Sequence, residues 1–182
     1  MRKNAEKNFT RRDALRLALI GAALPLAACG GGSGSQFDRN VAIDPVSVDR
    51  DEMLQRLNGF RAENGLPPLQ ADGRLNEISA WMANHIARWD SMDTREHRAI
   101  ALARRLDGHG YEHYAAAENL GAGYDSLDAA MAGWKGSAGH RRNLLNPYVT
   151  RVGISRVRRP NGKWRHFWVM TLARPKEDGR PG

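Results

Sequence analysis

Cysteine is almost missing from this chain. Cys29 stands alone among 182 residues, so no intramolecular disulfide can form and the folded part must stand on its core. Long apolar runs are missing too. Residues 17–28 (LALIGAALPLAA) make a run of 12, whereas a spanning helix needs roughly 20. Familiar catalytic signatures are absent. There is no HExxH zinc helix, no GxxxxGK(S/T) phosphate loop and no GxSxG elbow, since Lys135 rather than Gly stands two residues before Ser137. Basic charge is in excess, but it is unevenly spread. The formal charge of +8 includes residues 1–28, which hold six Lys/Arg and two acids; without them, 22 basic and 18 acidic side chains leave +4. So modest a balance gives no case for a nucleic-acid partner. The apolar content of 41% is enough for a packed core.

The amino terminus reads as an address rather than as fold. Residues 1–16 are polar and basic, and the run at 17–28 suits the apolar region of a signal peptide. The run ends in Leu26-Ala27-Ala28-Cys29, which resembles the bacterial lipobox. That resemblance implies a diacylglycerol on Cys29, removal of residues 1–28 and acylation of the new amino terminus by a fatty acid such as palmitate. The alternative is a plain cleaved signal with an incidental cysteine. Thr10-Arg11-Arg12-Asp13-Ala14-Leu15-Arg16 resembles a twin-arginine export signal, with Ala14 where a large apolar residue is usual. A general secretory signal with a basic start is the alternative. Gly30 follows the cysteine where Asp would mark inner-membrane retention, which favours an outer membrane in a cell that has one. The expected partner at this end is the membrane, through lipid on Cys29.

Residues 30–35 (GGGSGS) form a flexible tether, and residues 36–48 lack helical periodicity. A domain is expected over residues 49–175, followed by a frayed tail at 176–182. Asp49 or Asp51 caps a first helix carrying Met53, Leu54, Leu57 and Phe60 and stopping near Gly65. Asp72 opens a second, with Leu75, Ile78, Met82, Ile86 and Trp89 on one face. A third spans about residues 97–106, with Ile100, Leu102, Ala103 and Leu106 facing inward. Ser126 caps a fourth bearing Leu127, Ala130, Met131 and Trp134, and a short helical turn follows at residues 140–145. Residues 152–157 and 164–172 read as strands, with a hairpin signal at Asn161-Gly162. Residues 116–121 read as a further strand. Helices covering a small antiparallel sheet make an α+β fold, an α-β-α sandwich.

The chemistry gathers in three stretches: His97, then Ala117-Glu118-Asn119-Leu120-Gly121-Ala122-Gly123, then residues 134–147 (WKGSAGHRRNLLNP). Their order, closed by Val152-Gly153-Ile154, resembles the CAP superfamily of cysteine-rich secretory, antigen 5 and pathogenesis-related proteins, in its cysteine-poor bacterial branch. Leu57-Asn58-Gly59-Phe60-Arg61, Gly65-Leu66-Pro67-Pro68-Leu69 and Arg105-Leu106 with Gly110-Tyr111 fit the same pattern.

The resemblance implies a cleft with two His and two acids. His97, Glu118 and His140 match three of them. The second acid, expected soon after Trp134, is missing from Lys135-Gly136-Ser137. Asn119 and Ser137 complete the candidate cleft. Two imidazoles and a carboxylate are donors that Zn²⁺ or another divalent cation accepts, with a position left for water. The other reading is a metal-free polar network holding helices to the sheet. Three functions follow: an anchored binding protein for a lipid, small apolar molecule, glycan or envelope protein; a metal-dependent hydrolase using His97, Glu118 and His140; or a structural interaction module. A monomer is expected. Trp81, Trp134, Trp164 and Trp168 read as core, and Arg141 as a cleft-rim ion pair or a solvated residue. His85 reads as a boundary residue, and His109 and His113 as exposed loop residues. Arg156, Arg158, Arg159, Lys163 and Arg165 read as a hydrated cluster around the hairpin turn, or as one that attracts lipid headgroups or acidic glycans.

Overall fold

The computed structural model describes residues 36–181. The signal sequence, the twin-arginine pattern and Cys29 lie outside them. In order come β1 (Asp44–Val46), α1 (Arg50–Ala62), β2 (Gln70–Ala71), α2 (Gly73–Trp89), α3 (Ala99–Gly108), β3 (His113–Ala122), α4 (Leu127–Gly136), α5 (Ala138–Leu144), β4 (Arg151–Arg158) and β5 (His166–Pro175). Short 3₁₀ turns occupy Arg95–His97 and Lys176–Asp178. Three of the five helices begin at the expected caps, while α3 starts at Ala99 rather than near 97 and α5 at Ala138 rather than 140. Asp49, Asp72 and Ser126 each accept a backbone N–H from the first turn of α1, α2 and α4.

The sheet runs β1-β4-β5-β3, antiparallel throughout, with the two-residue β2 added to β4 in parallel. Strand β5 shows how the sequence builds two layers. Its residues alternate between faces and nearly all are buried. Trp168, Met170 and Leu172 join α1, α4 and α5 in one apolar cluster. Phe167 and Val169 meet α2 in a second cluster, and Ala173 meets α2 and α3 in a third. Helices therefore cover both faces, and the α-β-α sandwich expected from the sequence is observed. Residues Ser33–Gly182 form one compact unit whose three apolar clusters all come from within it, which is what a domain needs to fold alone.

Several local expectations change. The hairpin between β4 and β5 is present, but residues 159–165 form a seven-residue loop in place of a tight turn at Asn161-Gly162. Trp164 lies in that loop, 36% exposed, and Trp81 is 45% exposed on α2; neither is core. Ile100 faces solvent at 61%, because α3 turns only Leu102, Arg105 and Leu106 inward. Among the described residues, Arg141 has no acid partner. It reaches Asn64 at 3.3 Å and lies over the Phe60 ring at 4.9 Å. His113 begins β3 and is largely covered rather than exposed. Before residue 49, β1 pairs with β4. After residue 175, Asp178 meets Arg151 at 2.7 Å, which holds its carboxyl down at about 2.

Candidate functional site

Strand β3 is the last strand on its side of the sheet, and it carries Glu118 and Asn119 side by side. Neighbours on a strand point to opposite faces, so the two serve different layers. On the α2/α3 face, the Glu118 side chain is 3% exposed and accepts a charged hydrogen bond from the guanidinium of Arg105 on α3, a side chain itself 5% exposed. The other carboxylate oxygen faces Nδ1 of His97 at 3.5 Å. Arg105 also donates to the Glu96 carbonyl at 3.1 Å and to the Met82 sulfur at 3.3 Å, and it lies over the Trp81 ring at 5.5 Å. The preceding 3₁₀ turn thus sets His97 at the mouth of the pair, where its side chain is 38% exposed.

On the other face, Asn119 is fully buried. Its amide donates to the His140 carbonyl at 3.1 Å and its oxygen accepts from the Asn143 amide at 2.9 Å. Asn143 also donates to the Glu118 carbonyl at 3.1 Å. These bonds clamp α5 onto β3. Ser137 ends α4 and starts α5; its carbonyl accepts from Arg141 N–H at 2.7 Å, while its side chain caps nothing. The imidazole of His140 is held below its ordinary value by burial and then by the nearby His97.

The sequence reading missed Arg105 as a member of this site. It named His97, Glu118 and His140 as metal donors, and the structure gives Glu118 a cation already. A second cation beside that guanidinium would meet repulsion in a dry setting. Among the described residues, no three His, Cys, Asp or Glu side chains converge in a group that could hold a metal ion. The donor set does not suit Zn²⁺. Asn119 is tied up in clamping α5 to β3, in mid-strand and not at a turn before Gly121. Gly121 is needed because a Cβ there would come within 3.0 Å of Tyr124, and Gly123 because its φ is +81°.

Beyond the pair, Trp81 separates two surface cavities. One of about 360 Å³ is lined by Trp81, Ala101, Arg104, Arg105, Gly108 and His109. The other, about 400 Å³, is lined by Phe37, Trp81, Asn84, His85 and Arg88. His85 stacks on Trp81 with ring centroids 5.3 Å apart and is held by Glu96 at 3.1 Å. This face is aromatic and basic.

Histidine burial has a measurable consequence. Burial lowers His85, His140 and His166 below the ordinary imidazole value. On acidification through about 6.5 the unfolded chain takes up protons that the fold resists, so stability falls. Thermal midpoints should be level above about pH 7 and decline towards about pH 5, less steeply in His140→Gln. An identical decline in that variant would remove His140 from the explanation.

Residues 54–172 match the model of the cysteine-rich secretory protein (CAP) family. Protein YkwD of Bacillus subtilis, described as uncharacterized, is 26% identical over 116 residues, covering 64% of this chain and 45% of its own length. The membrane protein YlbC of the same organism, also described as uncharacterized, is 27% identical over 108 residues, covering 59% of this chain and 31% of its own. This chain therefore spans less than half the length of these curated relatives. Among solved structures, an extracellular SCP-domain protein from Bacillus anthracis aligns at 25% identity and TM-score 0.57, over 68% of this chain and 39% of that one. An outer surface protein from Borrelia burgdorferi shares the fold at 16% identity and TM-score 0.63, over 74% of this chain and all of its own.

Proposed function

The chain belongs to the CAP family, and on that footing we propose that it is an exported, lipid-anchored CAP-domain protein that works by binding an envelope ligand rather than by catalysis. One observation carries the reading. The carboxylate a hydrolase would need as ligand or base is buried against Arg105, so the site offers recognition groups without a free base. The cavities beside Trp81 are lined by arginine, histidine and tryptophan. Such a lining favours a glycan or a peptide over a small apolar molecule. Export through the lipobox at Cys29 fits the extracellular and outer-surface descriptions of the two structural relatives, and a membrane is the expected partner through that residue.

Two measurements test the two halves. In zinc calorimetry on residues 33–182, no one-to-one binding at micromolar affinity is expected. Stoichiometric zinc binding that disappears in both His97→Ala and His140→Ala would replace this reading with the metal-dependent hydrolase. In cells fed labelled palmitate, the full chain should take up label and Cys29→Ala should not. Equal labelling of both would end the claim of an anchor.

A further inference from the structure

Residues 37–39, which follow the tether in sequence, and the basic loop 159–165 share one corner. Loop 159–165 docks on the carboxyl end of α2, where Arg159 donates to the carbonyls of Ala87 and Arg88 at 2.8 and 3.1 Å. The Trp164 N–H reaches the Asp90 carboxylate at 3.3 Å, and the Lys163 N–H reaches its other oxygen. The segment leaving the tether arrives at the same helix end. Asp38 N–H donates to the Arg88 carbonyl at 3.1 Å, the Arg88 guanidinium donates to the Arg39 carbonyl, and Phe37 packs on Trp89 with centroids 5.3 Å apart.

This corner presents cations outward. Arg39, Arg158, Lys163 and Arg165 are exposed. The carboxylates around it include Asp38, Asp44, Asp90 and Asp125, the last 3.4 Å from the His166 ring. Asp90 is turned to backbone N–H groups and Asp38 to the Asn40 N–H, while Asp44 lies 3.6 Å from Arg158. Among the described residues, the Lys163 ammonium and the Arg165 guanidinium have no carboxylate within 4.0 Å. Arg165 is held at φ +62°, a conformation that side-chain-bearing residues seldom adopt. Trp164 rests one face on Gly123, has the Lys163 ammonium 4.8 Å above its ring and keeps 36% of its surface open.

We propose that this corner is a contact surface for anionic lipid headgroups, with Trp164 at its centre and Lys163 and Arg165 as its principal cations. The proposal rests on the anchored reading above. Gln36 follows Cys29 by seven residues, and a chain of that length reaches at most about 25 Å. A lipid on Cys29 therefore keeps the corner near the bilayer whatever path the tether takes. Anionic surfaces attract juxtamembrane Lys and Arg, and tryptophan favours the interface. The tether is the reason to choose a lipid surface over a soluble acidic glycan.

The test uses residues 33–182, which lack the lipidated cysteine, in sedimentation with vesicles at low salt. Binding to vesicles containing phosphatidylglycerol should exceed binding to phosphatidylcholine alone by about tenfold or more, and high salt should abolish the difference. Lys163→Glu with Arg165→Glu should remove the preference. Arg50→Glu with Arg142→Glu, an equal change of charge on α1 and α5, should largely keep it. Trp164→Ala should weaken binding without altering the salt dependence. Equal loss in both double variants, or no preference for the anionic vesicle, overturns the proposal. Binding to alginate but not to vesicles overturns it in favour of an acidic glycan. Because this unit lacks Cys29, the vesicles report on the corner alone and palmitate labelling reports on the anchor alone.

Discussion

Glu118→Ala should lower the unfolding free energy by about 3–5 kcal/mol, the usual cost of leaving one half of a buried ion pair behind. The reason is the fate of Arg105. Its side chain is 5% exposed and would keep the Glu96 carbonyl and the Met82 sulfur as hydrogen-bond acceptors. Neither carries the missing charge. Glu118→Gln retains an acceptor and should cost less. Removing both charges, as in Arg105→Met with Glu118→Gln, should recover most of the loss, because a neutral pair needs no counter-ion. Urea denaturation of the wild type, Arg105→Met, Glu118→Gln and the double variant closes the cycle and gives the coupling. A loss below about 1 kcal/mol in Glu118→Ala would mean that the pair is hydrated and that the site is wetter than its burial says.

Gly153→Ala should be as damaging by another route. A Cβ at Gly153 would lie 2.3 Å from the Leu75 carbonyl carbon and 2.4 Å from the Asn76 nitrogen, both backbone atoms of α2. No rotamer can relieve that clash; the helix must lift from β4. Lifting it would also strain the bonds from the Asn76 side chain to Ile154 N–H at 2.9 Å and from the Ser79 hydroxyl to the Gly153 carbonyl at 3.3 Å. A loss of about 3 kcal/mol or more is expected, at the upper end for overpacking. Gly136→Ala, where nothing lies within 4 Å of the added carbon, serves as control and should be neutral or stabilising. Thermal midpoints separate the two variants. Equal midpoints would show that α2 has slack against the sheet.

The sequence was most legible where one local rule governs. Side-chain caps at Asp49, Asp72 and Ser126 mark helix starts because the first-turn N–H groups need an acceptor close by. Strand β5 is legible because its apolar run is long and β-branched or aromatic at key points. What stayed hidden depends on distant coverage. Periodicity puts Trp81 and Ile100 beside apolar faces but cannot say whether another layer arrives to cover them. Strand β1 is an aspartate and a valine around a proline, and its place is set by pairing with Arg156 to Arg158. The order of short motifs located Glu118, His97 and His140, yet not their partner. A signal for Arg105 does exist: it falls in the inward stripe of α3 between Leu102 and Leu106. A charge there implies a buried counter-charge. Arg61 sends the same signal from α1, fully buried and donating to the carbonyls of Pro67, Leu144 and Asn146 at 3.0, 2.8 and 3.0 Å.

The adjacency of Glu118 and Asn119 also guards how the sheet assembles. Strand β3 pairs with β5 alone, Glu118 opposite Thr171 and Asn119 opposite Met170. If β3 slid past β5 by a single residue, every side chain would change face. The carboxylate would then be sealed among the amide and carbonyls of α5, and the guanidinium of Arg105 would face a neutral amide. Both errors are costly in a dry interior, whereas a slip through the flanking alanines would cost little. Two neighbouring residues with incompatible destinations thus act as a proofreading mark, letting an edge strand rich in alanine find one alignment and reject its neighbours.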